Sequence, residues 1–371
     1  MAAVAAVRVL SVVGTLLKFV PFIADNFAPA DKPASTILFT VGLDVAGGLQ
    51  NAGGDLPDVR LFNEGGEFIG IKVDPGSVGD GSTGTIKVEH NDKNGQQAAY
   101  ALFSANDDAV CVASISITWP NGDQYGWLGD WGQVCGGSWY FSNVFVKGTD
   151  YKPNCLWIDG NGDQPQTGFQ IHFPEFVTRS EDPNPTAAGD INYYCNAGPP
   201  FKLYTDREPR GITYWVLNSR RGLPRRGTTQ AATATSHGPA RRDLTTTNTP
   251  TNLTTATTAP PPGSRFDNLL VLSAEASHSA SQLCGSASSA GPDFAHAGEK
   301  LFCRMSDKSL WPFCDVASGV VDECFNVDAQ ELVVGGKVRR GGYGRVVNWG
   351  GETAGGEGQT CLASVETSPG E

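Results

Sequence analysis

The stretch TWPNGDQYGWLGDWGQVCGGSWYFS, residues 118–142, holds Trp119, Trp127, Trp131 and Trp139, half of the chain's eight tryptophans. Pro120-Asn121-Gly122-Asp123 reads as a tight turn, after which Tyr125, Trp127 and Trp131 recur at even spacing. On a returning strand, even spacing sets these rings on one sheet face, with Trp139 beside them if the next segment pairs there. Exposed, and rimmed by Asp123 and Asp130, the rings would stack on sugars. Buried, they would fill a core, the commoner use of such a stripe, and each indole N–H would need an acceptor. On the exposed alternative the expected ligand-binding set is Asp123, Tyr125, Trp127, Asp130, Trp131 and Trp139.

A second constellation is DGNGDQPQTGFQ, residues 159–170. Asp159, Asn161 and Asp163 match the first three oxygen positions of a calcium loop, and calcium is the one cofactor the sequence suggests. Gln164 stands where that loop needs Gly, and Gln170 where it needs a bidentate Glu. The same residues are good turn formers between two strands. Carboxylates such as Asp123, Asp130 and Asp159 are also the residue type a polysaccharide hydrolase needs in pairs. HExxH, GxSxG and P-loop motifs are absent, and the five histidines are scattered. No catalytic residue is therefore assigned. His172 alternates with Phe169, Ile171 and Phe173 and reads as a surface sheet residue.

The elements that must position these groups are strands. The chain has 46 Gly, 23 Pro and 2 Met in 371 residues, a composition that favours turns and short strands. TILFTVGLD, EFIGIKV, TIKVEH, DAVCVASISITW and TGFQIHF alternate with period two between Gly, Asn and Asp clusters. The expected class is all-β, with an antiparallel β-sandwich or jelly-roll-like domain over 35–218. Residues 219–263, rich in Thr, Pro and Arg, read as a disordered linker, and 266–349 as a small Cys-rich unit that needs disulfides to hold it. Residues 350–371 read as a disordered tail. Residues 1–30 read as a signal peptide with a competing amphipathic-helix reading, since Arg8, Ser11, Thr15 and Lys18 form a polar stripe.

Charge and cysteines bound the setting. A net charge of −12 argues against a nucleic-acid partner, and no apolar run is long enough for a confident transmembrane span. The nine cysteines lack zinc-site spacing. Cys111, Cys135, Cys155 and Cys195 form one group; Cys284, Cys303, Cys314 and Cys324 form another, with Cys361 left over in the tail. Their pairing is open, but disulfides imply an oxidising compartment. The linker carries the sequon Asn252-Leu253-Thr254, and Arg221, Arg226 and Arg242 each end a dibasic pair open to a processing protease.

TWPNGDQYGWLGDWGQVCGGSWYFS, followed by CLWIDGNGD and FQIHFPEF, resembles a poorly characterised group of secreted proteins of filamentous fungi. EASHSASQLC, SAGPDFAHAGEKLFC and ECFNVD are similar to the Cys-bearing region that accompanies the domain there. The resemblance covers about half the chain, carries no catalytic residue, and implies extracellular location and dibasic processing. More loosely, the first domain resembles a PLAT-type sandwich, a fold associated with lipid or protein binding. The expected function is non-catalytic recognition of an extracellular glycan or cell-surface component in a host or niche interaction. The alternatives are a polysaccharide hydrolase and an effector or toxin precursor freed by dibasic cleavage.

Overall fold

The computed structural model describes residues 32–42, 52–91, 95–146, 149–176, 191–216, 229–233 and 266–350. The expected signal segment 1–30, Arg221, Arg226, Arg242, Asn252, Cys361 and the tail lie outside the described residues.

Alternation builds the first sheet. In β1 (Ala34–Val41), Ile37, Phe39 and Val41 are fully buried while their neighbours are half-exposed. This strand lies antiparallel between β6 (Thr83–Glu89) and β8 (Val110–Thr118). The far edge of β8 carries two partners end to end: β9 (Gln124–Leu128) along Ser114–Thr118, and β11 (Cys155–Ile158) along Val110–Val112. Beyond β11 lies β10 (Trp139–Tyr140). The second sheet runs in the order β13 (Phe201–Tyr204), β12 (Gly168–His172), β7 (Tyr100–Ser104), β3 (Asp58–Phe62) and β4 (Phe68–Lys72), all antiparallel. A short separate ladder pairs β2 (Gly54–Asp55) with β5 (Ser77–Val78).

The inner faces meet in one aromatic seam. Phe39 of the first sheet reaches Phe103 of the second at 6.1 Å, Phe103 stacks on Phe169 at 4.9 Å, and Trp127 stacks on Phe169 at 5.2 Å and on Phe201 at 5.6 Å. The expected antiparallel sandwich is the observed one. Cys111–Cys155 staples β8 to β11, and Cys135–Cys195 ties α1 (Asp130–Val134) to α2 (Ile191–Asn196).

The hairpin of β14 (Gly211–Trp215) and β15 (Thr229–Thr233) differs from the expected boundary, because β15 falls within the stretch read as disordered. An open edge on β14 offers a row of backbone donors and acceptors, and a Thr-bearing segment suits that pairing. Ile212 and Tyr204 pack with Tyr100 and Phe62 over the outer face of the second sheet. That cover is why β12 is buried on both faces.

Residues 266–350 form a mixed sheet in the order β19 (Ser309–Pro312), β18 (Leu301–Arg304), β17 (Asp293–His296), β16 (Leu269–Ser273) and β23 (Arg345–Trp349). Here β16 runs parallel to both β17 and β23. A smaller sheet of β20 (Glu323–Asn326), β21 (Glu331–Val334) and β22 (Lys337–Arg340) packs on one face. Cys284–Cys303 links α3 (Ala280–Gly285) to β18, and Cys314–Cys324 closes the loop before β20. The α3 N-terminus is capped by Ser279 Oγ, which accepts from Gln282 N at 3.0 Å, and by Glu299, which accepts from Ala280 N at 2.6 Å. Disulfides are not the unit's sole support. Phe266, Val271, Phe294 and Trp349 belong to the same core cluster as the sandwich.

Two stability outcomes follow from the packing. Trp127→Ala should lose about 3–5 kcal/mol in denaturant unfolding, because it empties the seam between the sheets. Replacing Cys111 and Cys155 together by Ser should lose about 2–5 kcal/mol by the same measurement, since the bridge closes a loop with a sequence separation of 44.

Candidate functional site

The structure does not present the tryptophans to a ligand. Trp127 and Trp131 are 0% exposed and Trp139 is 1% exposed. Stacking on sugars at these rings is thereby overturned: both ring faces are already taken by protein. Trp131 departs from the expected strand as well. Gly129 ends β9 with backbone oxygens of Val112 and Asn154 only 2.3 and 2.4 Å from where a Cβ would sit, and the chain turns there into α1. Trp131 then packs on Tyr194 at 4.5 Å and edge-on to Phe176 at 5.3 Å. Trp139 lies across the β10 edge, donating from Nε1 to Ser286 Oγ at 3.0 Å.

The rim residues are not a rim. Asp130 is 6% exposed, and its Oδ1 accepts from Tyr151 Oη at 2.9 Å and Asn154 N at 3.3 Å. Asp123 is exposed in the β8–β9 turn, where it accepts from Asn121 Nδ2 at 2.7 Å. Half-buried Tyr125 packs on Trp119 at 4.3 Å. Asp123 and Asp130 sit at opposite ends of β9, and Asp130 and Asp159 at opposite ends of β11. At about 3.3 Å per residue these separations exceed the spacing of a glycosidase pair.

The calcium reading of residues 159–163 is corrected too. Asp159 is fully buried and turned into its own loop, where Oδ2 accepts from Gly162 N at 2.6 Å, Asp163 N at 2.5 Å and Gln164 N at 3.3 Å. Asn161 donates to Asp107 O at 2.6 Å, and both Asn161 and Asp163 face outward. The three side chains close a turn instead of converging. Among the described residues, no group of three or more His, Cys, Asp or Glu side chains is placed to hold a metal ion.

Sequence periodicity missed the charged cluster around His172. Its ring is buried under the β14 cover and stacks on Tyr100 at 4.1 Å. Nε2 lies 2.8 Å from Glu64 Oε2, and Nδ1 lies 3.4 Å from Glu175 Oε1. Burial by itself would depress the imidazole pKa. The Glu175 and Glu64 carboxylates outweigh it and hold the pKa above the usual 6.5. Glu175 is half-buried, which by itself would raise its pKa, yet the bond to His172 holds it below the ordinary carboxylate value.

Ser273 and His278 resemble a nucleophile and base in distance alone, with Oγ 2.8 Å from Nδ1. Both are buried, and His278 stacks on Phe141 of the sandwich at 4.4 Å. Burial first, then the Lys152 charge, pushes His278 down to about 3, so the ring is neutral at ordinary pH. His278 is packed against the sandwich, while Ser273, whose hydroxyl it holds, also borders a cleft at the end of β16.

The other face of the same sheet is covered by the β20–β22 sheet except at one end, where it opens. Strand alternation turns Ser273, His296 and Trp349 toward the sandwich, while Leu272, Ala295 and Asn348, which pair side by side, turn away from it. With Phe313 and Val327 they line a cleft of about 270 Å³ at the ends of β16, β17 and β23. No charged residue lines it. Leu272, Phe313 and Val327 are only half-buried, and Asn348 stands exposed at its edge. Parallel pairing of segments far apart in sequence makes this cleft, so no local pattern announces it.

The His172 cluster sets a pH dependence. A raised folded-state pKa contributes stability that is fully present below the unfolded value of about 6.5 and lost as pH rises through the folded value. His172→Gln should therefore lower the melting temperature most at pH 5–6 and progressively less toward pH 9. Equal loss at every pH would show that the imidazole charge contributes nothing.

No family model matches the chain, and no curated protein does. Two solved structures of engineered LOX variants, Delta413-417:GS LOX and Delta413-417:GS I805W LOX, overlap part of it. Identities are 16% and 17%, each with a TM-score of 0.21, covering 26% and 27% of this chain and 14% and 15% of theirs. These are partial likenesses to lipoxygenase structures, and at that TM-score they carry no inference about fold or activity.

Proposed function

We propose that the chain is a non-catalytic recognition protein acting outside the cell, and that its ligand is an uncharged, mainly apolar small molecule held in the cleft of the C-terminal unit. The observation that carries this reading is the cleft's lining: mainly apolar side chains, no charge, and two polar ones, Ser273 and the exposed Asn348 amide, to orient a polar end. A charged ligand would lose its hydration there without a partner. At about 270 Å³ the space suits the apolar end of a small molecule and is too small for a folded partner.

Extracellular action is supported by four disulfides, the mark of an oxidising compartment, and by the resemblance to secreted fungal proteins. No helix among the described residues is long and apolar enough to cross a membrane. Glycan stacking has no such support at the tryptophans, whose faces are covered.

The test is a fluorescence titration of the full chain with the neutral probe N-phenyl-1-naphthylamine. Emission should rise saturably, uncharged medium-chain alcohols should displace the probe, and Val327→Trp or Leu272→Trp should weaken binding at least about tenfold by filling the cleft. Absence of saturable emission, or binding untouched by both variants, would overturn the reading. Glycan-array binding in its place would restore the carbohydrate alternative.

A further inference from the structure

We infer that residues 266–350 are held on the sandwich as a docked partner whose attachment does not require the chain that connects them, so that a cut in that chain leaves a two-chain protein instead of freeing a fragment. This goes beyond the ligand reading and does not rest on it.

The contact has the make-up of a tight interface. Trp157 of β11 donates from Nε1 to Ala290 O at 2.8 Å and packs on Phe266 at 5.2 Å. Tyr140 donates from Oη to Pro292 O at 2.9 Å and meets Phe294 edge-on at 6.2 Å. Trp139 exchanges backbone bonds with the same loop: its N donates to Ser288 O at 3.2 Å, and its O accepts from Ala290 N at 2.9 Å. Buried Trp and Tyr side chains with every polar atom named here satisfied are the residues that dominate binding energy. Lys152 Nζ lies 2.6 Å from Glu275 Oε1, with side chains only 4% and 15% exposed, and screening at such a pair is weak. Gly291 completes the fit. A Cβ there would sit 2.3 Å from the Tyr140 ring.

No disulfide crosses from one part to the other among the described residues. Cys111–Cys155 and Cys135–Cys195 lie within the sandwich, and Cys284–Cys303 and Cys314–Cys324 within the C-terminal unit. A peptide connection adds an effective concentration of about 1 mM, so cutting it separates the parts only if their own affinity is weak. The Arg220-Arg221, Arg225-Arg226 and Arg241-Arg242 pairs all lie in the connecting sequence. Processing there would leave the contact whole.

The experiment uses the full chain with a specific protease site placed between Asn248 and Thr249, cut to completion. At about 1 µM, a thousandfold below the effective concentration a connection supplies, the two pieces should co-elute in native size exclusion. They should separate in denaturing electrophoresis without reductant. Separate native elution would overturn the inference, as would a covalent pair in the unreduced gel. Gly291→Val should make the cut protein dissociate while the uncut chain keeps its elution volume. If that variant fails to fold uncut, Tyr140→Phe with Lys152→Ala replaces it and should shorten the half-life of the co-eluting pair. A pair unaffected by either variant would show that this contact is not what holds it.

Discussion

An uncovered edge on the first sheet is the constraint on which the rest of the architecture depends. Strands β10 and β11 carry Trp139, Tyr140 and Trp157, three large rings on a short margin, and unpaired strand edges invite association. The loop from Ser286 to Pro292 covers them, supplying a hydroxyl to Trp139 and carbonyls to Tyr140 and Trp157. That cover fixes which face of the C-terminal sheet points inward. The opposite face is then left to the small β20–β22 sheet and the cleft beside it.

The tryptophans divide by what their N–H groups find. Those at the junction reach acceptors across the two parts. Trp127 and Trp131, in the seam and under α2, have no acceptor for Nε1 among the described residues. An unpaired buried donor costs about 1–3 kcal/mol, and the apolar area of each ring offsets it. Gln170 shows the opposite solution. It is fully buried, and it donates to Pro199 O and Thr213 O while accepting from Tyr204 Oη and Thr213 N. Polar groups inside this molecule fasten loops to sheets, and the histidines follow the same use: His90 pairs with Ser35, and His296 with the Glu275 carbonyl.

Local pattern was most informative where a strand has one wet face. Alternation in TILFTVGLD assigned Ile37, Phe39 and Val41 to the core, and the Pro120–Asp123 turn forms with Gly122 at a φ of 91°. It failed where a second layer arrives from elsewhere. His172 and Gln170 alternate correctly with Phe169 and Ile171, yet both are buried because β14 covers the face that a lone sheet would expose. Asp159 matched a ligand position by spacing, but spacing does not say whether a carboxylate turns toward an ion or toward the amides of its own turn.

What the sequence by itself determined was the all-β class, the inward faces of its one-sided strands and the turns between them. These depend on residues near one another along the chain, where periodicity and φ preference act. Cysteine pairing, the fate of the tryptophans, the carboxylates around His172 and the cleft were decided only by tertiary structure. Each depends on which distant segment lies alongside, and whether a ring is a binding face or a core residue is a property of what covers it.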